Sequence, residues 1–153
     1  MGVFKNIPIV NVVVGGYSVI HNIRDYNFIR QTVAFIMNLN DGKMDKQTLE
    51  EHIKKLDDSK QMNKELSKVM IFLDKNEVIK KSEILAKLYK AYIKGIIDWT
   101  KFCECVDIVN QTILQDLDFL IEINDNQNLT IEPNTNYRIN RIKSLGLIIG
   151  KPY

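Results

Sequence analysis

Ile93-Lys94-Gly95-Ile96-Ile97-Asp98 decides the fold, because Asn40-Asp41-Gly42-Lys43-Met44-Asp45 repeats it 53 residues earlier. In each stretch a helical pattern runs into a glycine. An apolar residue follows two positions on (Met44 and Ile97), and an aspartate then starts the next helix. Glycine tolerates the left-handed conformation that ends helices, and aspartate caps the next free N–H groups. Two such units predict an all-α helical bundle of two related helix–Gly–helix hairpins.

Working outward, Asp25 predicts a cap for a helix with Phe28, Val33, Phe35, Ile36 and Leu39 on its inner face, stopped by Gly42. Asp45 opens a short helix with Leu49, Ile53 and Leu56, and Asp57-Asp58-Ser59 breaks it and caps another. Leu66, Val69, Met70 and Leu73 continue at helical spacing up to a break at Asp74-Lys75-Asn76. Val78, Leu85, Leu88, Tyr89 and Tyr92 then form a stripe that ends at Gly95. After Asp98, the residues Trp99, Phe102, Val106, Val109, Ile113, Leu117 and Leu120 predict one long helix. The Asn-rich run 124–136 reads as a loop around a short extended segment at 129–131. A last helix over 136–145 follows, with Ile139, Ile142 and Leu145 inward, stopped by Gly146, and 147–149 reads as a terminal strand. The expected organisation is a bundle domain over 1–123 and a small irregular C-terminal appendage over 124–153.

The chain has 153 residues, 45% hydrophobic and 26% charged, as in ordinary globular proteins, and its size suffices for a core without disulfides. Cys103 and Cys105 lie two apart on a predicted helix, so they face different ways and do not bridge. Cys103 is expected to be packed and Cys105 exposed. Thiols without a framework fit a reducing, cytoplasmic setting. The apolar stretch Ile7–Ile20 has no basic n-region beyond Lys5 and no small-residue cleavage site. Its 14 residues fall short of the ~20 that span a bilayer. Asn6 stands where a myristoylation signal needs Ser or Thr. Whether residues 7–14 form helix or strand is left open by periodicity, with Pro8 favouring a helix start. The segment suits a buried core element, with a membrane surface or a homo-oligomer contact as the other ways of covering it.

Charge is unevenly spread. Residues 1–97 hold 16 Lys/Arg and 11 Asp/Glu, residues 98–132 hold one Lys and eight acids, and the last 21 residues hold four basic groups and no acids. Such polarity attracts an oppositely charged partner or lets a molecule's own parts dock.

The motif search excludes more than it finds. An EF-hand loop needs oxygen ligands at its first, third, fifth and twelfth positions. Counted from Gly42 these are Met37, Leu39, Asp41 and Thr48, and from Gly95 they are Lys90, Tyr92, Lys94 and Lys101. Leu, Tyr and Lys cannot hold a hard cation, so no calcium site is expected. His21 and His52 stand apart in sequence, so no zinc set is expected either. G-x-S-x-G, H-E-x-x-H and a Gly-rich phosphate loop are all missing, Gly15-Gly16 being a lone pair. No catalytic residue, cofactor or metal ligand is therefore assigned, and the expected class is non-enzymatic.

Two basic sets remain. Lys80, Lys87 and Lys94 are seven apart on one helix edge, which Lys81 and Lys90 widen. Lys80, Lys87, Lys90 and Lys94 are the candidate contact surface for an anionic partner, against a plain solvated face. The first set is all Lys, which disfavours specific duplex readout by that edge, and Arg138, Arg141 and Lys143 on the last helix are the candidate nucleic-acid contact.

The Asp41-Gly42-Lys43-Met44-Asp45 and Gly95-Ile96-Ile97-Asp98 units resemble the duplicated hairpins of the TerB-like tellurite-resistance family, over roughly residues 26–121. That resemblance implies an all-α, cytosolic, non-catalytic module tied to bacterial stress or phage response, acting through protein partners and often at the membrane. Tyr137–Ile149 resembles the last helix and first wing strand of a winged helix, cut short before a second strand. The expectation is a protein-interaction module. The alternatives are a membrane-active effector using Ile7–Ile20 and a nucleic-acid-binding regulator using the C-terminal helix.

Overall fold

Helix ends in this chain are set by a few local groups. A computed structural model describes residues 23–41, 47–48, 51–52, 59–125 and 136–147. Among the described residues there is no strand, residues 47–48 and 51–52 are helical, and the helices with described bounds are α1 (Ile23–Leu39), α2 (Ser59–Lys75), α3 (Ile79–Ile93), α4 (Trp99–Gln111), α5 (Leu114–Asp125) and α6 (Asn136–Ser144). The protein is an all-α helical bundle. No described helix is long and apolar enough to cross a membrane.

Gly95 stops α3 as its sequence predicts. It takes φ +69°, and the N–H groups of Ile96 and Gly95 donate to the carbonyls of Ala91 and Tyr92, each at 2.9 Å. This pair of bonds satisfies helix-end carbonyls that would otherwise lack partners. Gly146, with φ +71°, closes α6 in the same way: Leu147 N–H donates to Ile142 and Gly146 N–H to Lys143. Asp98 caps α4, accepting the Lys101 N–H at 2.7 Å.

Three local expectations are corrected. α1 includes Ile23, so Asp25 lies in its first turn and favours the helix dipole rather than capping it. α5 runs through Asp125, beyond the expected loop start at 124. The single long helix after Asp98 is two, with Thr112 and Ile113 between α4 and α5. The Thr112 hydroxyl and N–H both converge on the Ile108 carbonyl, at 2.7 and 2.9 Å. The Ile113 carbonyl then starts α5 by accepting from Asp116 and Leu117. A side-chain bond of this kind competes with the helical ladder, and the apolar spacing continues on both sides and hides the break.

The segment 7–20, Gly15-Gly16, the Gly42 stop, the Met44 and Asp45 positions, the stripe residues Leu49, Ile53 and Leu56, the extended run at 129–131 and the strand residues 148–149 lie outside the described residues. Leu147, the first residue of that expected strand, is a bend.

The chain divides into two compact units, Met1–Val106 and Asp107–Tyr153, with the boundary inside α4. In the first, α1 packs chiefly on α3 and also on α2. Phe35, Leu39, Phe72, Leu73, Leu85 and Phe102 are buried there. α1 and α3 run parallel, because partners advance together along both. On α3 itself, Ser82 Oγ donates to Gln31 Oε1 (2.5 Å) and Lys90 Nζ donates to the Asn38 carbonyl (2.7 Å), and just ahead of it Arg24 pairs with Asp74 at the end of α2 and Asn27 Nδ2 donates to the Asn76 carbonyl (2.7 Å). These pairs are 49 to 52 residues apart, close to the 53-residue spacing of the repeated glycines, so near-equivalent positions of the two sequence copies face each other. Gln31 and Ser82 are wholly buried, and each satisfies the other. The inner face of α1 is Ile29, Thr32, Phe35 and Leu39, so the predicted Val33 is turned partly outward.

In the second unit, Phe119 of α5 packs with Ile139 and Ile142 of α6, and Leu120, Ile123 and Leu147 close over them. Ile113, predicted to lie inward, is 44% exposed, and Phe119 takes the core position.

Candidate interaction surface

The lysine edge of α3 is thinner than its spacing suggests. Lys80, Lys87 and Lys94 are exposed, with Lys80 Nζ 3.8 Å from Glu83. Lys90 turns inward and is 7% exposed. Its ammonium lies 2.9 Å from the Asp41 carboxylate and donates to Asn38, tying α3 to the end of α1. Lys81 is also buried, and burial pushes its pKa down. Residues 80, 87 and 94 share one edge, while Lys81 lies about a third of a turn to one side and Lys90 about a sixth of a turn to the other, where Asp41 and Asn38 receive it.

The C-terminal basic set serves its own unit. Asp116 has no exposed surface, and Arg141 grips both its oxygens, one at 2.7 Å. The hydrogen bond from Arg141 holds the Asp116 carboxyl below the usual carboxylate range against the opposing effect of burial. Arg138 stands 3.8 Å from Asp116, donates to the Gln115 carbonyl and lies over the Phe119 ring. Of the three candidates only Lys143 is exposed.

The fold also assembles a polar centre that sequence reasoning missed. Glu65 of α2 is wholly buried and accepts from the hydroxyls of Tyr92 (2.6 Å) and Tyr89 (3.5 Å). His52, which the sequence leaves isolated, places Nε2 3.4 Å from Glu65 and sets its ring edge-on to Tyr92. That Nε2 lies at ion-pair distance without hydrogen-bond geometry. Phe102 and Trp99 stack beside these rings. Burial pushes the Tyr89 and Tyr92 hydroxyls above the ordinary value of 10.0, and Glu65 adds to the effect. Both tyrosines thus stay protonated as donors to the carboxylate. The cluster clamps α2 onto α3.

Cys103 and Cys105 are free thiols, both half-buried, so Cys105 is less open than expected. No group of three or more His, Cys, Asp or Glu side chains gathers as a metal site among the described residues.

The outer face of α1 is an open feature of the first unit. Ile23 (87% exposed), Tyr26 (52%) and Met37 (68%) line it, with Val33 and Ala34 half-buried between them. Arg30 sits midway, its guanidinium 5.7 Å from the centre of the Tyr26 ring. It borders two clefts. One, about 280 Å³, is walled by Val33, Ala34, Met37 and Ile79. The other, about 690 Å³, is more polar and contains Ile23, Tyr26, Asn27, Asp74 and Glu77. Among the described residues no carboxylate forms an ion pair with Arg30, whereas neighbouring Arg24 is bound to Asp74. The signal was present in the sequence as a second apolar set at 23, 26, 33 and 37. It was hidden because α1 also carries a strong inner stripe.

The chain matches no family model, no curated protein and no solved structure.

Proposed function

We propose that this protein is a non-enzymatic protein-interaction module whose docking surface is the outer face of α1. One observation carries the reading: a helix buried on its inner side presents Ile23, Tyr26 and Met37 outward, around an arginine without an acidic partner among the described residues. Contiguous exposed apolar surface of this kind marks contact sites, and tyrosine and arginine are the side chains that most often anchor them. Lys80, Lys87 and Lys94 add positive charge to the same unit, so the favoured partner is apolar and acidic together. The cytoplasmic stress or phage-defence setting implied by the TerB-like resemblance belongs to this proposal. Nucleic-acid binding through α6 would need Arg138 and Arg141 to leave buried Asp116, which disfavours it.

A photo-crosslinking residue placed at Tyr26 in the native cell tests the proposal. It should trap a discrete partner, and Arg30→Glu in the same chain should abolish the adduct while leaving the helical signal and unfolding midpoint unchanged. An adduct obtained equally from exposed Glu104 on α4, or one indifferent to Arg30→Glu, refutes the α1 face as the surface.

A further inference from the structure

We infer that the α1 face is filled by α5 of a second copy of this chain, in a head-to-tail contact. This rests on the interaction reading above and adds the identity of the occupant. The outward residues of α5 have the matching chemistry. Asp118 and Glu122 are exposed, and Ile121 between them is 55% exposed. Spacings of three and four put all three on one side of the helix. Neither carboxylate has an ion-pair partner among the described residues.

The two faces correspond in charge and in pitch. On α1 the cation Arg30 lines one end of the cleft that it shares with Val33, Ala34, Met37 and Ile79, and it stands one helical turn before Val33 and Ala34. On α5 the anion Asp118 lies one turn from the apolar Ile121. Seating Ile121 in that cleft therefore brings Asp118, one turn away, to Arg30 without distorting either helix, since one turn is about 5.4 Å on both, and Glu122 flanks the contact. The regional charges agree: residues 98–132, which include α5, hold eight acids and one lysine, while residues 1–97 hold a basic excess. The two patches are different, so the contact is heterologous. Each copy keeps one face free, and association continues into chains or rings. A single helix-on-helix contact is below the size of a stable interface, so the assembly grows with concentration, and its charge pairing makes it salt-sensitive.

Sedimentation of the full chain at rising concentration, in about 0.05 M and about 0.5 M salt, tests this. The weight-average mass should climb past that of a dimer at low salt, with association at least about tenfold weaker at high salt. Arg30→Glu and the pair Asp118→Lys with Glu122→Lys should each give monomers, with the wild-type helical signal kept. The decisive sample is an equimolar mixture of these two variants. The native α5 of one variant meets the native α1 face of the other, and the two reversed faces complement each other as well, so the mixture should regain open growth with the two variants alternating. Combining all three substitutions in one chain should restore open growth. Wild type that stays monomeric throughout overturns the second-copy proposal, as does Arg30→Glu protein that still dimerises with itself. A monomeric wild type that still yields the Arg30-dependent Tyr26 adduct to another protein leaves the interaction reading standing. A monomer without that adduct ends both.

Discussion

Raising the pH should break the first unit at Tyr89. This hydroxyl is buried beside the Glu65 carboxylate and is pushed far above the ordinary tyrosine value of 10.0, first by burial and then by that charge. Tyr92 moves the same way, chiefly through burial and its hydrogen bond to Glu65. A group whose folded pKa is raised contributes stability that is complete below its unfolded pKa and is lost as pH rises toward the folded one. Above about pH 10 the loss is about 1.4 kcal/mol per pH unit for one fully shifted group. Tyr89 alone therefore removes about 3 kcal/mol by about pH 12, and half-buried Tyr92 adds a smaller share. Set against a total stability of about 5–15 kcal/mol, this brings a domain close to unfolding. Tyrosinate absorbance and far-ultraviolet dichroism followed together should show one steep ionisation step coinciding with loss of helix. Tyr89→Phe keeps the ring and gives up only a long 3.5 Å bond. It should change stability at neutral pH by less than about 1 kcal/mol and move the alkaline midpoint upward. Gradual ionisation of Tyr89 with the helices intact, or an alkaline midpoint unmoved by Tyr89→Phe, would refute the reasoning.

Gly95→Ala should lower stability by about 1–2 kcal/mol in urea titration, all of it from the left-handed backbone, because a Cβ there meets nothing within 4 Å; Gly146→Ala should cost a similar amount. Removing Arg141 should cost more than removing its partner. Arg141→Ala strands a wholly buried carboxylate, worth about 3–5 kcal/mol, with Arg138 at 3.8 Å offsetting part of it, while Asp116→Ala frees arginines that reach water and costs about 1.5–3 kcal/mol. Hydrogen-exchange protection of the α6 amides reads the difference. The same amides should lose protection in acid, since the Asp116 contribution is present above the ordinary carboxyl value of 3.8 and disappears as pH falls through its lowered folded value.

Much of the helical layout was legible because its signals are local. Asp98 caps α4, Gly95 and Gly146 end their helices, and the break after Lys75 falls where the composition changes. Each depends on the backbone conformation and hydrogen bonds of a few neighbouring residues. The Thr112 break was not legible, because a threonine bonding back to the preceding turn leaves the apolar spacing undisturbed. The candidate site was least legible. Lys90 and Lys80 look alike in a row of lysines, yet one is sealed against Asp41 and the other faces water. Arg138 and Arg141 look like a recognition face until Asp116, more than 20 residues away in sequence, is placed beneath them.

By itself, then, the sequence of this protein determined that it is built of helices and where several of them stop, since those outcomes are settled within a turn or two of chain. Only the tertiary structure decided which polar groups are buried, as with Glu65, Gln31 and Asp116, and which apolar ones stay outside, as with Ile23, Tyr26 and Met37. A helix with two apolar faces has no local reason to prefer either. The choice is made when α1 docks on α3 and the turn before it, because the Gln31 and Asn27 side chains meet Ser82 and the Asn76 carbonyl on that side.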